Sequence, residues 1–225
     1  MIVVVGLPVY ADGPDGEECA GGLAVEVAAA AERRGGTVEL VGKVGNDGAG
    51  DAVVVALGRL GIGHAALLRD MARPTPVLTA TPRDESADTT AEEAVAEPAE
   101  EPGSILLPED PAARPALEAA DVELALRFLP QASVIVLADP SAESTVEAGI
   151  QGAAFSAARL IVLVPAGGSS PSVPPEATVL EAPLDDDGSF GRLVGTFAGA
   201  LDAGLDAASA FSEAVTTSGW EPVTD

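Results

Sequence analysis

The chain has 225 residues, with 36 aspartates and glutamates against 11 lysines and arginines and a net charge of −25. So acidic a surface repels nucleic acid and anionic membrane, which argues against both as partners. Aromatics are only 3% of the chain, yet its alanine, valine and leucine suffice for a sizeable core, and the length suits one domain over residues 1–225.

Met1 to Gly6 (MIVVVG) reads as a buried strand ending in a glycine turn. Its apolar run, like that at 160–165, is too short to span a bilayer. No basic stretch precedes it, which argues against a secretory leader. An open polar stretch follows, holding Asp12 and the lone cysteine, Cys19, which has no internal partner and fits a reducing cytoplasm. Ala20-Gly21-Gly22 then opens a helix that Gly35-Gly36 ends. Within it Glu26 reads as an exposed helix residue.

Thr37 to Gly42 is a strand with alternation, and GKVGNDGAGD (42–51) is a glycine-rich strand-to-helix turn. It is neither a Walker A loop nor a G-x-G-x-x-G turn. Val53, Leu57 and Leu60 form the core face of the helix that follows, and Gly61 ends it. His64, the only histidine, reads as a surface residue or as a general base. Leu67 to Ala80 reads as edge strands broken by Pro74 and Pro76. From Asp84 to Asp110 there are ten acidic residues and no basic one, the composition of a solvated loop or linker. The acidic excess reads either as coding bias towards alanine, glycine, aspartate and glutamate, or as adaptation to salt or to a basic partner.

Val122, Leu126 and Leu129 share a helix face, SVIVLA (133–138) is a buried strand, and Ser141 to Arg159 is a helix capped by Ser141. Its inward residues are Val146, Ile150, Ala154 and Ala157. With LIVLVPA (160–166) this makes a βαβ unit of a parallel sheet. Ligands of such sheets bind at the carboxyl ends of the strands. Those ends are Gly6, Gly42, Ala138-Asp139-Pro140 and Pro165-Ala166-Gly167. ATVLEAPL (177–184) is one more strand.

Asp185-Asp186-Asp187 then lead into Gly188-Ser189-Phe190-Gly191 and a helix whose buried face is Leu193, Val194, Phe197, Ala198 and Leu201. An acidic, glycine-containing turn at a helix N-terminus is a natural anion site. Gly195 and Gly199, four apart, suit close approach to another backbone. A second helix begins after Gly204, with Leu205, Ala208 and Phe211 or Ser212 as its face.

These stretches together resemble the PfkB/ribokinase family of sugar and nucleoside kinases. The family pattern D-T-x-G-A-G-D falls on Asp185 to Gly191. Its last position carries the catalytic base, and here it is Gly191. Gly188, Ser189 and Phe190 stand where the resemblance implies an anion hole. G-G-x-x-x-N-x-A falls on Gly21, Gly22 and Ala28, with Glu26 in place of a substrate-binding asparagine, a carboxylate that could accept from sugar hydroxyls, and G-x-V-G-x-D-x-x-G falls on Gly42, Val44, Gly45, Asp47 and Gly50, so the resemblance implies that Gly21, Gly22, Glu26 and Asp47 bind substrate. Asp12 lies one step from the position of a sugar-binding aspartate. Two nucleotide-side motifs, N-x-x-E and T-x-G-x-x-G, are missing after Pro165, and no room for the family's small β-sheet lid is left between Asp12 and Gly21.

The resemblance implies a three-layer α/β/α sandwich, ribokinase-like, mostly parallel, trimmed of its lid and part of its nucleotide subdomain. It implies ATP and Mg²⁺ as cofactors, and a sugar or nucleoside as ligand. Three functions remain open. One is a degenerate carbohydrate-kinase-like protein, impaired in phosphoryl transfer, that binds a small ligand. Another is an active kinase in which one of Asp185, Asp186 and Asp187, or Glu26, takes the acid/base role. The third is a homo-oligomer that uses an uncovered sheet edge for protein contacts.

Overall fold

The computed structural model describes residues 1–12, 18–78, 113–139, 142–183 and 188–219. The acidic segment 84–110, the cap residue Ser141 and Asp185 to Asp187 lie outside the described residues. Six strands form one parallel sheet: β1 (Ile2–Val5), β4 (Val38–Gly45), β5 (Gly63–Asp70), β7 (Val134–Leu137), β8 (Arg159–Pro165) and β9 (Thr178–Ala182), in the order β5-β4-β1-β7-β8-β9. Every pairing is parallel. The first strand is central, the next two step outward on one side and the last three on the other, a doubly wound order whose switch point lies between β1 and β7.

The strands are short apolar runs buried on both faces, as parallel sheets require. One face carries α1 (Leu23–Arg33), α2 (Gly48–Arg59), α5 (Ser189–Asp202) and α6 (Ala207–Ser218), packed over Ile2, Val4, Leu40 and Val136. The opposite face carries α3 (Ala119–Phe128) and α4 (Glu143–Ser156), over Val3, Val5, Ile135 and Val162. This is the three-layer sandwich expected from the sequence.

A second sheet corrects one expectation. β2 (Val9–Asp12) and β3 (Glu18–Gly21) pair antiparallel, and β6 (Val77–Leu78) joins β2 in parallel. Segments of four residues suffice for the pairing, and the third strand comes from a distant part of the chain. A small sheet therefore stands where a lid was judged to have no room. The expected edge strands of 67–80 are here too: β5 edges the main sheet and β6 the small one.

Helix faces depart from expectation where alanine blurs the pattern. In α3, Val122 and Leu126 are buried as expected, with Ala125 beside them. In α4 the buried residues are Thr145, Val146, Ala148, Gly149 and Ala153, while Ala154 and Ala157 face out. In α6 they are Ala210 and Ala214, while Ala208 and Ser212 are exposed; Phe211 lies edge-on to Phe197 with ring centroids 5.8 Å apart. In α2, Val53 and Leu57 are buried but Leu60 is exposed.

Candidate functional site at the carboxyl edge of the sheet

All the parallel strands end at one edge, and α1, α2, α4 and α5 begin there. The glycine-rich turn between β4 and α2 is built by backbone contact. A Cβ at Gly45 would lie 2.5 Å from the Thr75 amide nitrogen, and one at Gly50 would strike the Gly45 carbonyl oxygen. Asp47 is the N-cap of α2 and ties the turn to Thr75. Its Oδ1 accepts from the Gly50 amide at 2.8 Å and from the Thr75 hydroxyl at 2.7 Å, and its Oδ2 accepts from the Thr75 amide at 2.8 Å. The buried Thr75 hydroxyl in turn accepts from the Gly45 amide at 2.8 Å. Burial pushes the Asp47 carboxyl up, but the bonds from Thr75 and Gly50 and the charge of Arg69 outweigh it and hold it below its ordinary value. Both oxygens of this residue, predicted to bind substrate, are engaged in holding the turn.

Gly21 ends β3, and Gly22 is the N-cap of α1 with φ 91°, a conformation that favours glycine. Both predicted ligand residues thus shape the start of α1. Asp12 ends β2, opposite Glu18 in the hairpin.

The switch point holds Asp139, which the sequence reading named only as part of a ligand-binding strand end. Asp139 follows β7, and its amide nitrogen lies 3.6 Å from where a Cβ on Gly6 would stand. Burial pushes its carboxyl above the ordinary value, and the charge of Arg114 only partly opposes this. A partly desolvated carboxyl at the carboxyl ends of the two strands that flank the switch point marks a candidate ligand site. The signal available in sequence was an acidic residue directly after a buried strand.

The turn into α5 is built differently. Gly188 is its N-cap with φ 81°, and Phe190, predicted as part of an anion hole, is buried in the core. Ser189 is half-buried at the first position of the helix. Helices α1 and α5 run in step. A Cβ at Gly195 would strike the Val27 carbonyl oxygen, and one at Gly199 would lie 2.8 Å from the Arg34 Cγ. This is the close approach that the paired glycines predicted. One turn earlier, a Cβ at Gly191 would lie 2.6 Å from the Glu26 Cβ and 2.7 Å from its Oε2. The structure thus brings together Glu26, Gly188 and Gly191. Glu26 is half-buried against α5, so the reading of it as an exposed helix residue is corrected.

His64 sits at the amino end of β5, with Nδ1 3.2 Å from the Ile62 carbonyl oxygen, at the edge opposite the crevice. Among the described residues no three His, Cys, Asp or Glu side chains are grouped to hold a metal, so no role for Mg²⁺ is derived from them. Nor is any helix among them long and apolar enough to cross a membrane.

No family model matches the chain, and no curated protein matches it. Solved structures do. The PfkB protein of Polaromonas sp. is 12% identical with a TM-score of 0.66, the match covering 96% of this chain and 94% of that one. Ribokinase of Arabidopsis thaliana, solved with ribose and ATP, is 15% identical with a TM-score of 0.62, covering 96% and 90%. An uncharacterized sugar kinase of Pyrococcus horikoshii is 18% identical with a TM-score of 0.52, covering 73% of this chain; the chain spans only 55% of that protein's length. At these identities the likeness is one of fold, and the fold is ribokinase-like.

Proposed function

We propose that this is a carbohydrate-kinase-like protein that binds a small polyhydroxy compound, a sugar or nucleoside, at the carboxyl edge of its sheet and transfers phosphate poorly. The observation that carries the reading is Asp139, a desolvated carboxyl at the β1/β7 switch point of a ribokinase-like fold. A carboxyl there is placed to bond the hydroxyls of a ligand at the carboxyl ends of the strands. ATP is the phosphate donor that the fold's likeness suggests, since ribokinase of Arabidopsis was solved with it.

Impaired transfer is inferred from Gly191. Phosphoryl transfer depends on positioning and on charge stabilisation. A base at the attacking hydroxyl contributes roughly 10²–10⁴-fold, and a glycine contributes none of it. A second reading, an active phosphotransferase, is favoured by one observation: the Glu26 carboxylate lies beside position 191.

Calorimetric titration of the purified chain with sugars and nucleosides, followed by ATP turnover with whichever binds, tests both. Binding with turnover far below about 1 s⁻¹, the low end of ordinary enzymes, supports the first reading. Turnover at or above that rate supports the second. Absence of binding by every sugar and nucleoside would defeat both.

A further inference from the structure

The chain's five phenylalanines divide into two kinds. Phe190 and Phe197 are in the core and Phe211 packs on Phe197, whereas Phe128 and Phe155 are 76% and 72% exposed. These two stand at the carboxyl ends of α3 and α4, which lie side by side: a Cβ on Gly152 would strike the side chain of Leu126. Leu124, one turn before Phe128 and also exposed, extends the patch along α3. Aromatic rings carry much of the energy of association, so two left in water on adjacent helices mark a contact surface.

The side of α4 that holds Gly152 faces α3, and the other side opens on a groove. Ile150, Ala153 and Ala154 line it from the helix, and Leu160 and Pro174 close it, in a volume of about 360 Å³. A dry cavity of about 150 Å³ already holds a benzene ring. One helix thus carries a projecting phenyl ring and, around its circumference, a groove that can seat one. A surface with both parts is complementary to itself: a two-fold axis along α4 sets Phe155 of each copy against the groove of the other.

Charge selects the same place. At −25 the chain repels its own copies. At this end of α3 and α4, however, the signs are balanced: Arg127 pairs with Glu123, and the groove carries the exposed Arg159 and Glu176. A patch bearing both signs meets opposite charge when it faces itself across the axis. Aromatics and arginine are also the residue types enriched where proteins meet.

We propose that the carboxyl ends of α3 and α4 form an isologous dimer interface in which Phe155 of one copy enters the groove between α4 and β8 of a second copy. The contact is made by helices, so it differs from pairing through an uncovered strand edge. It lies at the amino edge of the main sheet, opposite Asp139, and leaves the candidate ligand site open.

Sedimentation velocity of the full chain at about 100 μM, above the micromolar-to-picomolar range of specific interfaces, should give a dimer. Phe155→Asp and, from the groove side, Ala154→Arg should each weaken association by about tenfold or more. Both residues are exposed, so in dilute solution each variant should melt as wild type does. Met71→Asp removes an apolar side chain that is 80% exposed at the other edge of the sheet, and it should leave the dimer intact. Mixing the two weakened variants should restore association, because one keeps its groove and the other its ring. A wild type that stays monomeric overturns the proposal. So does a Phe155→Asp dimer as tight as wild type, a Met71→Asp loss equal to that of Phe155→Asp, or a mixture that associates no more tightly than its components.

Discussion

The turn from β4 into α2 and the turn into α5 begin at the same edge of the sheet and are both glycine-rich, but their glycines answer to different neighbours. Gly45 and Gly50 face backbone and the capping network of Asp47 and Thr75. Gly191 faces a side chain, Glu26. Backbone cannot be exchanged for something smaller, so the first turn tolerates no change. A side chain can, so the second is open to exchange between two helices. The difference separates a scaffold turn from an adaptable one, and substitutions in each should behave accordingly.

The largest effect is expected from Asp47→Ala. It removes the cap of α2 and leaves the buried Thr75 hydroxyl and amide without their acceptor. Losing a cap costs about 0.5–2 kcal/mol and each buried orphan about 1–3 kcal/mol, so the total should be on the order of 3 kcal/mol. Urea unfolding measures it. A loss under about 1 kcal/mol would mean that Asp47 is free to serve a ligand, and the contrast between the turns would fail.

Gly191→Asp comes next. Overpacking of this kind costs typically 1–3 kcal/mol. With Glu26 still in place, the added aspartate should not raise ATP turnover, because the new side chain has no volume to occupy. A stable, more active Gly191→Asp protein would show that the space over α5 is larger than the geometry allows.

The two acids at this edge should also give opposite pH dependences. The Asp47 carboxyl is held below its ordinary value of 3.8. It contributes stability fully above that value and loses it as pH falls through the depressed folded pKa. The Asp139 carboxyl is held above 3.8. Its folded state favours the protonated form, so its contribution is fully present below 3.8 and is lost as pH rises through the raised folded pKa. Asp139→Asn should therefore unfold at a higher temperature than wild type at neutral pH, with the gap closing as the solution is acidified. A gap that widens on acidification would reverse the assignment.

Sequence made the first turn legible and the second only half so. The spacing of Gly42, Gly45, Asp47 and Gly50 marks a strand-to-helix turn because Asp47 caps the helix through Gly50, three residues on; its ties to the distant Thr75 were not legible. The departure at Gly191 was visible, but its reason was not, since the volume is set by a residue on a distant helix. That the sheet is parallel followed from short buried strands joined by helical crossovers; its order did not. The small sheet was missed because its strands are two to four residues long. The inward faces of α4 and α6 were misjudged because alanine on both sides gives periodicity no contrast.

The smallest effect belongs to His64, and it tests where the site ends. Histidine is the commonest general base and this is the only one in the chain, which made it a candidate. It lies at the amino end of β5, on the far side of the sheet from Asp139, Glu26 and Gly191. Ligands of doubly wound sheets bind beyond the carboxyl ends, so proton transfer from His64 to a bound hydroxyl would have to cross the length of the strands. His64→Ala should change stability by no more than about 0.5 kcal/mol, as surface substitutions do. It should leave sugar binding and its pH dependence as in wild type. Titrating the variant and wild type with the same sugar across pH 6 to 8 decides the matter: a difference in affinity between the two would move the site to the other edge and remove the reason for comparing the two turns.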